Sequence, residues 1–327
     1  MSKIGRREAL KIALAAPFVL AGHRVMGQTT WPQRPVHIVE PFAPGGAGDI
    51  MTRTIFHKVS EILKTPMVIE NRSGGASVVA ASYVRGLPND GHAFLMNGTQ
   101  QVIVPVLLKD QAFDYRTEFV GVTQLCNYAQ CFAVQTEAPY KTLADLITAA
   151  KANPGKLRCG TSASGGMPHL AMEELQKRAG IKFVHIPYRV AVEGPRDLAG
   201  GQLDALVLTL STLTPMLQAK KVRILAVSIP ERLRAAPEIP TVAESGYPGY
   251  DMGDWGGLFA RTGTPEPILR QMQAAVAQAA KDKGVLDVLL PQGTEPIGST
   301  AEEFKGFFAR QTETLTRVVT EAGVTLG

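Results

Sequence analysis

Cysteine is scarce in this chain of 327 residues, which contains only three. They are Cys126, Cys131 and Cys159, and neither their odd number nor their spacing fits a disulfide framework or a zinc site. Cys126 and Cys131 fall on adjoining extended segments, so a bond between these two stays open. The interpretation we favour is three buried thiols that pack as small apolar side chains.

Histidine and aromatic residues are also few. The six histidines are scattered and include no i,i+4 pair on a predicted helix, so the sequence predicts no metal centre. Aromatic residues make up 6% of the chain, and no polybasic surface is evident. Nucleic acid is therefore not an expected partner.

The apolar run near the N-terminus is too short to cross a membrane. It extends from Ile12 to Gly22, 11 residues, whereas a spanning helix needs about 20. It follows Arg6 and Arg7 and precedes small residues, an order typical of an export signal. We expect residues 1–27 to be that signal and the mature protein to be periplasmic. The paired arginines resemble the twin-arginine motif, but Ala9 replaces its usual aromatic residue, so the general secretory route stays open.

Most of the positive charge excess lies in that segment. The whole chain has a net charge of +5, and residues 1–27 hold five of its basic residues and one acidic residue. The rest of the chain is therefore almost neutral. Its length of about 300 residues exceeds one typical domain and suits two.

Runs with strand character alternate with helical patterns through most of the chain. This alternation predicts an α/β fold of mostly parallel sheets flanked by helices. We expect two lobes, with residues 28–124 and 255–327 in lobe 1 and residues 125–254 in lobe 2. Capping boxes are predicted at two helix starts, Thr142 with Asp145 and Ser299 with Glu302.

A glycine-rich turn follows the first predicted strand and precedes a helical pattern. Such a turn directs backbone N–H groups and the positive end of the helix dipole at one spot, which suits an anion. It lacks the Lys and Ser/Thr of a nucleotide P-loop and the dinucleotide glycine spacing, so a carboxylate is the better candidate. A connection that only packs the helix on the sheet would also explain it. The candidate ligand-binding residues are Phe42, Pro44, Gly45, Gly46 and Asp49, with Asp49 expected to cap the helix.

A similar turn recurs after the strand that ends near Thr161, and Pro168 fits the first position of the next helix. Its hydroxyl groups could also bind a carboxylate, so the two turns fit one ligand-facing turn in each lobe. The candidates here are Thr161, Ser162, Ala163, Ser164, Gly165 and Gly166.

A third set ends a strand at the expected cleft edge, where open α/β sheets bind ligands, although an ordinary polar strand end is an equal alternative. These residues are Thr99, Gln100 and Gln101.

An ordered set of short segments extends from Trp31 to the C-terminus. It includes Pro41-Phe42-Ala43-Pro44-Gly45-Gly46, Glu70-Asn71-Arg72 before Gly74-Gly75, Pro88-Asn89-Asp90-Gly91, His185-Ile186-Pro187-Tyr188-Arg189, Gly201-Gln202-Leu203-Asp204 and Pro240-Thr241-Val242-Ala243-Glu244. This set resembles the tripartite tricarboxylate transporter substrate-binding family, also called the Bordetella uptake gene (Bug) receptors. No single segment is decisive, but their order and spacing together are specific.

The resemblance implies a two-lobed periplasmic binding protein of type II-like architecture. Such a receptor closes on a small organic acid and delivers it to a membrane permease. It is not an enzyme and needs no cofactor, and we expect a monomer. In this family backbone amides, hydroxyls and waters from both lobes hold the ligand carboxylate. The expected ligand is a small di- or tricarboxylate, aromatic acids included.

Three more candidates come from the segments that carry the resemblance. Tyr188 would line the pocket or simply pack, Arg189 would pair with a distal carboxylate or form a surface ion pair, and Asp204 matches a family position near the cleft or serves the fold. Two departures from the family pattern lie on expected pocket walls, at 100–105 and at Val190. The identity of the ligand therefore cannot be carried over from the family.

Two other functions are compatible with the sequence. The protein could bind the same ligands as the partner of a periplasmic sensor, which sequence does not separate from transport. It could also be a secreted serine hydrolase, because Gly160-Thr161-Ser162-Ala163-Ser164 comes close to the G-x-S-x-G pattern. The hydrolase would need a serine, a histidine and an acid in triad geometry.

Overall fold

The computed structural model describes residues 31–108, 113–162, 165–188, 190 and 192–323. The expected export signal, residues 1–27, lies outside them. Among the helices described, none is both long and apolar enough to cross a membrane.

Strands and helices alternate along the chain. The strands are β1 (Val36–Glu40), β2 (Met67–Asn71), β3 (Ala93–Gly98), β4 (Phe119–Tyr128), β5 (Gln130–Gln135), β6 (Arg158–Ser162), β7 (Val184–Tyr188), β8 (Ala205–Thr209), β9 (Val222–Val227), β10 (Asp254–Arg261) and β11 (Thr294–Pro296). The helices are α1 (Ala47–Leu63), α2 (Val78–Arg85), α3 (Gln100–Leu107), α4 (Tyr115–Glu118), α5 (Leu143–Ala152), α6 (Met167–Ala179), α7 (Glu193–Ala199), α8 (Leu210–Gln218), α9 (Glu266–Ala279), α10 (Lys283–Leu289) and α11 (Ala301–Ala322).

The strands form two separate sheets. The first has the order β11-β4-β10-β3-β1-β2 and the second the order β7-β6-β8-β5-β9. In the first sheet β10 and β11 run antiparallel to the other strands, and in the second sheet only β5 does. The predicted α/β fold with two lobes and mostly parallel sheets is confirmed. We call the first sheet with its helices lobe 1 and the second lobe 2.

The chain passes between the lobes at two short crossings. Ala129 is the only residue between β4 and β5, so the first crossing comes a few residues after the expected exit near Gln124. The chain returns through Gly253, immediately before β10. Both strands that begin a lobe after a crossing, β5 and β10, are antiparallel to their two neighbours.

Three helix starts were predicted, and two of them are shifted by one residue. Helix α6 begins at Met167, so Pro168 is its second residue and not its first. Thr142 and Asp145 form the predicted capping box of α5. At α11 the box consists of Thr300 and Glu303, so the prediction of Ser299 with Glu302 was wrong by one residue. The Ser299 hydroxyl instead accepts a hydrogen bond from the backbone N–H of Gln124, at 2.9 Å, and so fixes α11 to β4.

Helix α11 belongs to lobe 1 but also packs against α6 of lobe 2. Its buried residues Leu315, Val318 and Val319 join one apolar core that includes residues of both lobes. Beside them Glu174 of α6 is only 3% exposed at its side chain, and its Oε1 lies 2.9 Å from Arg317 Nη2 and 2.7 Å from Arg178 Nε. The two lobes therefore share a hydrophobic contact and a buried ionic contact in addition to the two crossings.

All three cysteines are buried and free. Burial raises the pKa of Cys126 and of Cys131 to about 12, so both thiols stay protonated at neutral pH. Cys126 and Cys131 do not pair, and the thiols pack as the sequence analysis favoured.

Candidate ligand-binding cleft

The carboxyl edges of the two sheets meet because of the way the chain crosses between the lobes. β4 runs in the same direction as β1, and Ala129 alone connects its last residue to β5. The first residue of β5, Gln130, pairs with Thr209 at the carboxyl end of β8. One residue therefore joins the carboxyl edge of lobe 1 to that of lobe 2. Open α/β sheets bind ligands at this edge, so the space between the lobes is the candidate cleft.

The two lobes also share one strand order. The order β2-β1-β3-β10-β4 in lobe 1 matches β7-β6-β8-β5-β9 in lobe 2. β6 is therefore the counterpart of β1, and β8 that of β3. It follows that the two glycine-rich turns, one after β1 and one after β6, occupy equivalent positions at the cleft.

The turn in lobe 1 is exposed, and its backbone is held from within. Gly45 has φ +78°, a conformation that glycine adopts without strain. Its N–H donates to Asp49 Oδ2 at 2.9 Å, and the Gly46 N–H donates to the Ala43 carbonyl at 3.2 Å. Pro44 is exposed beside them. The two predicted glycine amides are thus used inside the turn, and Asp49 caps it.

The turn in lobe 2 repeats this geometry with a different cap. Gly165 has φ +81°, and Gly166 has φ −76° and ψ 164°, close to the φ −74° and ψ 166° of Gly46. The Gly165 N–H donates to Nδ1 of His169 at 3.1 Å. His169 therefore takes the place that Asp49 has in lobe 1. The Asp49 carboxylate offsets the positive end of the α1 dipole, whereas an imidazole contributes no negative charge at the start of α6.

Backbone N–H groups at the two helix starts have no acceptor among the described residues. In α1 these are the groups of Ala47 and Gly48, and in α6 that of Met167. Pro168 has no N–H. Since the first turn of any helix leaves such donors unpaired, both helices present them at the cleft edges of their lobes. Each helix start can therefore donate to an oxyanion.

A pair of histidines supports the turn in lobe 2. The rings of His169 and His185 stack with centroids 4.0 Å apart. Burial and the neighbouring His169 lower the pKa of His185 to about 4, so this ring is neutral at physiological pH. Its Nε2 lies 2.7 Å from Oγ1 of the buried Thr161. Thr161 therefore supports the turn from its buried side, while the adjacent Ser162 is partly exposed.

A buried carboxyl pair supports the turn in lobe 1. Asn71 Nδ2 donates to Glu40 Oε1 at 2.6 Å and to Asp49 Oδ1 at 2.8 Å, and Arg53 Nε donates to Asp49 at 2.9 Å. Burial, followed by the contact with Asp49, raises the pKa of Glu40 to about 8. Burial opposes ionisation of Asp49 too, but its hydrogen bonds from Arg53, Glu40 and Gly45 outweigh that effect and hold its pKa below the usual range. Glu40 is therefore protonated and Asp49 ionised at neutral pH.

This pair predicts a stability that falls as the pH rises. Below a pH of about 4.5 Glu40 is protonated in both the folded and the unfolded chain. From there to a pH of about 8 the unfolded chain releases the proton that the folded chain keeps, so the free energy of unfolding decreases. In Glu40→Gln this loss should be smaller by about 2–4 kcal/mol, as measured by urea unfolding across that range. Glu61→Gln on the exposed side of α1 is the control, and a Glu40→Gln variant with the wild-type slope would contradict the assignment.

The third predicted set divides between the cleft and the core. Thr99 lies at the end of β3, and its hydroxyl donates to Asp254 Oδ1 at 3.0 Å. Gln101 is buried, and its Oε1 accepts from Asn97 Nδ2 at 2.7 Å, so it serves the core of lobe 1. Gln100 begins α3 and is partly exposed. Of the three, Thr99 and Gln100 remain at the cleft edge.

Three other predicted residues are held by contacts within their own lobes. The Tyr188 hydroxyl donates to Asp197 at 2.7 Å, and its ring packs in the core of lobe 2. Asp204 precedes β8, at the edge of the sheet opposite the cleft, where its Oδ2 accepts from the backbone N–H of Arg158 at 2.7 Å. The Phe42 ring covers Gly48, so that a Cβ added there would lie 2.5 Å from it. Ala163, Ser164 and Arg189 lie outside the described residues.

The sequence analysis missed two groups at the cleft. A cluster of hydroxyls follows β8, with Thr209 Oγ1 3.2 Å from Ser211 Oγ and 3.0 Å from Thr212 Oγ1. Because β8 is the counterpart of β3, Thr209 corresponds to Thr99. The signal was a polar run directly after a buried strand, the same signal that identified Thr99. The second group is Asp254, at the return crossing.

The arrangement favours binding over catalysis. The Ser162 hydroxyl makes no hydrogen bond to a histidine in the described part of the chain, where His185 contacts Thr161 and His169 contacts Gly165. Within those same residues no three His, Cys, Asp or Glu side chains are placed to hold a metal ion. What the cleft offers is a pair of facing helix starts with hydroxyl groups beside them.

Two α/β lobes of equal strand order, joined by short crossings and facing each other with matched helix starts, define a solute-binding protein. A model of the "Tripartite tricarboxylate transporter family receptor" matches residues 51–324. The chain belongs to this family. It is a receptor rather than an enzyme, in line with the family that the sequence resembles.

Individual relatives agree with this assignment. The chain is 30% identical to the "UPF0065 protein in tcbD-tcbE intergenic region" of Pseudomonas sp. (strain P51), over 98% of this chain and 96% of that one. Among solved structures it is similar to R. palustris Rpa4515 with adipate, with a TM-score of 0.76, 31% identity and coverage of 90% and 99% of the two chains. It is also similar to MatC (Rpa3494) from Rhodopseudomonas palustris with bound malate, with a TM-score of 0.68, 25% identity and coverage of 87% and 99%.

Proposed function

We propose that this receptor captures a small carboxylate, with one to three carboxyl groups and aromatic acids included, between its lobes. One observation carries the proposal: α1 and α6 begin at facing edges with equivalent turns, and each has N–H groups without an acceptor among the described residues. Helix N-termini bind anions through such groups and through the helix dipole. The adipate and malate in the two solved relatives support a carboxylate as the ligand.

The site in this proposal consists of residues at the four strand ends that meet at the cleft. The turn of residues 42–49 would bind from lobe 1, with the N–H groups of Ala47 and Gly48 as donors. Ser162 and the turn that follows it would bind from lobe 2. Thr99, Gln100 and the hydroxyls of Thr209 and Ser211 would flank the ligand. Asp49 and His169 hold the two turns and do not contact the ligand.

The protein would act in the periplasm and deliver its ligand to the permease of a tripartite tricarboxylate transporter. Residues 1–27 would direct its export, by the twin-arginine route or the general secretory route. The lobe boundaries proposed from the sequence, after residues 124 and 254, move to the crossings at Ala129 and Gly253, and the two lobes would rotate about these crossings. The receptor would work as a monomer without a cofactor. Its alternative role, as the ligand-binding partner of a sensor, would use the same cleft.

Binding is expected to require an ionised carboxyl group. In a thermal-shift screen of small organic acids, a cognate acid at 100 times its dissociation constant should stabilise the protein by about 2.7 kcal/mol. The methyl ester of that acid should not stabilise it, because an ester carries no charge for the helix starts to bind. The screen compares each acid with its ester at one concentration. Equal stabilisation by acid and ester would refute carboxylate binding.

A further inference from the structure

Asp254 places a carboxylate at the inner end of the cleft. It is the first residue of β10 and pairs with Tyr128, the last residue of β4, at the point where the chain passes between the lobes. Gly256, two residues along and therefore on the same face, would place a Cβ 3.2 Å from the side chain of Met51 in α1. Asp254 thus lies on the α1 face of the sheet, at its cleft end.

Only one oxygen of this carboxylate is used by the fold. Oδ1 accepts from the Thr99 hydroxyl at 3.0 Å and from the backbone N–H of Trp255 at 2.8 Å. No described donor has full hydrogen-bond geometry to Oδ2, although the backbone N–H of Thr99 lies close enough to the carboxylate to favour its ionised form, and Asp254 is partly exposed. Asp254 therefore has a free acceptor that a ligand in the cleft can reach.

The described groups around Asp254 supply no cation to pair with it. Tyr128 and Cys126 face it from β4, and Thr99 from the end of β3. The protonated Glu40 on β1 is also near Tyr128. At the start of α1, Arg53 is occupied by Asp49 and by Asn71. Burial raises the pKa of Asp254 to about 6, so it is ionised at neutral pH although partly desolvated.

A carboxylate in this position would repel a ligand that carries only negative charge. It would instead accept a hydrogen bond from an ammonium group while the helix starts hold the ligand carboxylate. We infer that Asp254 is a specificity-determining residue that selects carboxylates bearing an amino group over the corresponding unsubstituted acids. This inference rests on the proposed function, since it concerns a second group of the same ligand.

Matched pairs of acids test the inference directly. The probes are succinate with L-aspartate, glutarate with L-glutamate, and butyrate with 4-aminobutyrate, each titrated by calorimetry into the wild-type protein, Asp254→Asn and Asp251→Asn. Asparagine at position 254 keeps an oxygen for Thr99 and Trp255 but loses the charge. The control Asp251→Asn also removes one negative charge, but on the other side of the crossing, where Asp251 contacts Gln311 of α11.

We expect the amino-substituted member of at least one pair to bind the wild type at least about ten times more tightly. One additional charge-assisted hydrogen bond to Asp254 can contribute a preference of this size. Asp254→Asn should bring that ratio close to one, and Asp251→Asn should leave it unchanged. A wild type that prefers the unsubstituted acids, or a ratio that Asp254→Asn does not change, would overturn the inference and leave the carboxylate receptor intact. If no acid of either kind binds, the proposed function fails together with the inference.

A second measurement needs no variant, in case Asp254→Asn does not fold. In the wild type the preference for the amino-substituted acid should decrease as the pH is lowered through about 6, where Asp254 becomes protonated. The amino group of the ligand stays charged over that range, and each affinity is corrected for protonation of the ligand's own carboxyl groups, which begins at the lower end of the range. A preference that is constant from about pH 7.5 to about pH 5 would count against Asp254.

Discussion

Ala47→Pro is expected to weaken carboxylate binding by about tenfold to a hundredfold and to leave the fold intact. Ala47 is the first residue of α1, and proline there removes one N–H that has no acceptor among the described residues. Proline is favoured at this helix position. Gly46 before it is extended, with φ −74° and ψ 166°, as the residue before a proline must be. Since a hydrogen bond to a charged group contributes about 1.5–3 kcal/mol, its loss predicts that range of affinities.

The control makes the same chemical change at another helix start. Ala301 is the first residue of α11, it is exposed, and Thr300 before it has φ −66° and ψ 160°. Ala301→Pro should therefore fold and bind as the wild type does. Calorimetric titrations with the two acids that stabilise the wild type most in the thermal-shift screen, alongside urea unfolding of both variants, measure the two effects. If Ala47→Pro binds these acids as tightly as Ala301→Pro, the start of α1 is not a ligand site.

Glu174→Ala is expected to lower the free energy of unfolding by about 2–3 kcal/mol. Glu174 is buried between the lobes and accepts from Arg178 and Arg317, so its loss removes the carboxylate that these two cations share. Removing one member of a buried ion pair costs about 3–5 kcal/mol. The expected loss is smaller here because the Arg178 and Arg317 side chains are 29% and 37% exposed and can be partly hydrated.

An exposed partner of the same arginine provides the control. Glu321 also pairs with Arg317, at 3.1 Å, but its side chain is 44% exposed. Glu321→Ala should therefore cost much less stability than Glu174→Ala. Urea unfolding of both variants at neutral pH gives the comparison. Equal losses would mean that burial of Glu174 between the lobes adds nothing to the stability of the protein.

The sequence predicted those parts of the fold that local patterns determine. The alternation of strands and helices predicted two α/β lobes, and Thr142 with Asp145 predicted the start of α5. The start of α11 was ambiguous, because the neighbouring pairs Ser299–Glu302 and Thr300–Glu303 fit the same spacing. The structure decides between them through Gln124, which uses the Ser299 hydroxyl. That residue is far away in the chain, so no local pattern contains the information.

The candidate site, too, was predicted where local patterns define it and missed where residues far apart in the chain come together. The two glycine-rich turns were visible because glycines, a strand and a helix follow one another in the sequence. Their caps could be read only in part, since Asp49 is a common capping residue and His169 is not. Asp254 was missed because it reaches the cleft through its pairing with Tyr128, which no local pattern contains. Thr209 had the same local signal as Thr99 and was overlooked. Gln101 was assigned to the cleft, but its partner Asn97 holds it in the core.

The position of β10 has a consequence for the order in which the lobes can fold. This strand lies between β3 and β4, yet it follows all of lobe 2 in the chain. During synthesis the second sheet has all its strands once β9 is made. The first sheet cannot be completed until β10 has been synthesised. Until then the edges of β3 and β4 stay unpaired and prone to aggregation. Lobe 1, which begins first, is therefore completed last, and only when the C-terminal part of the chain is present.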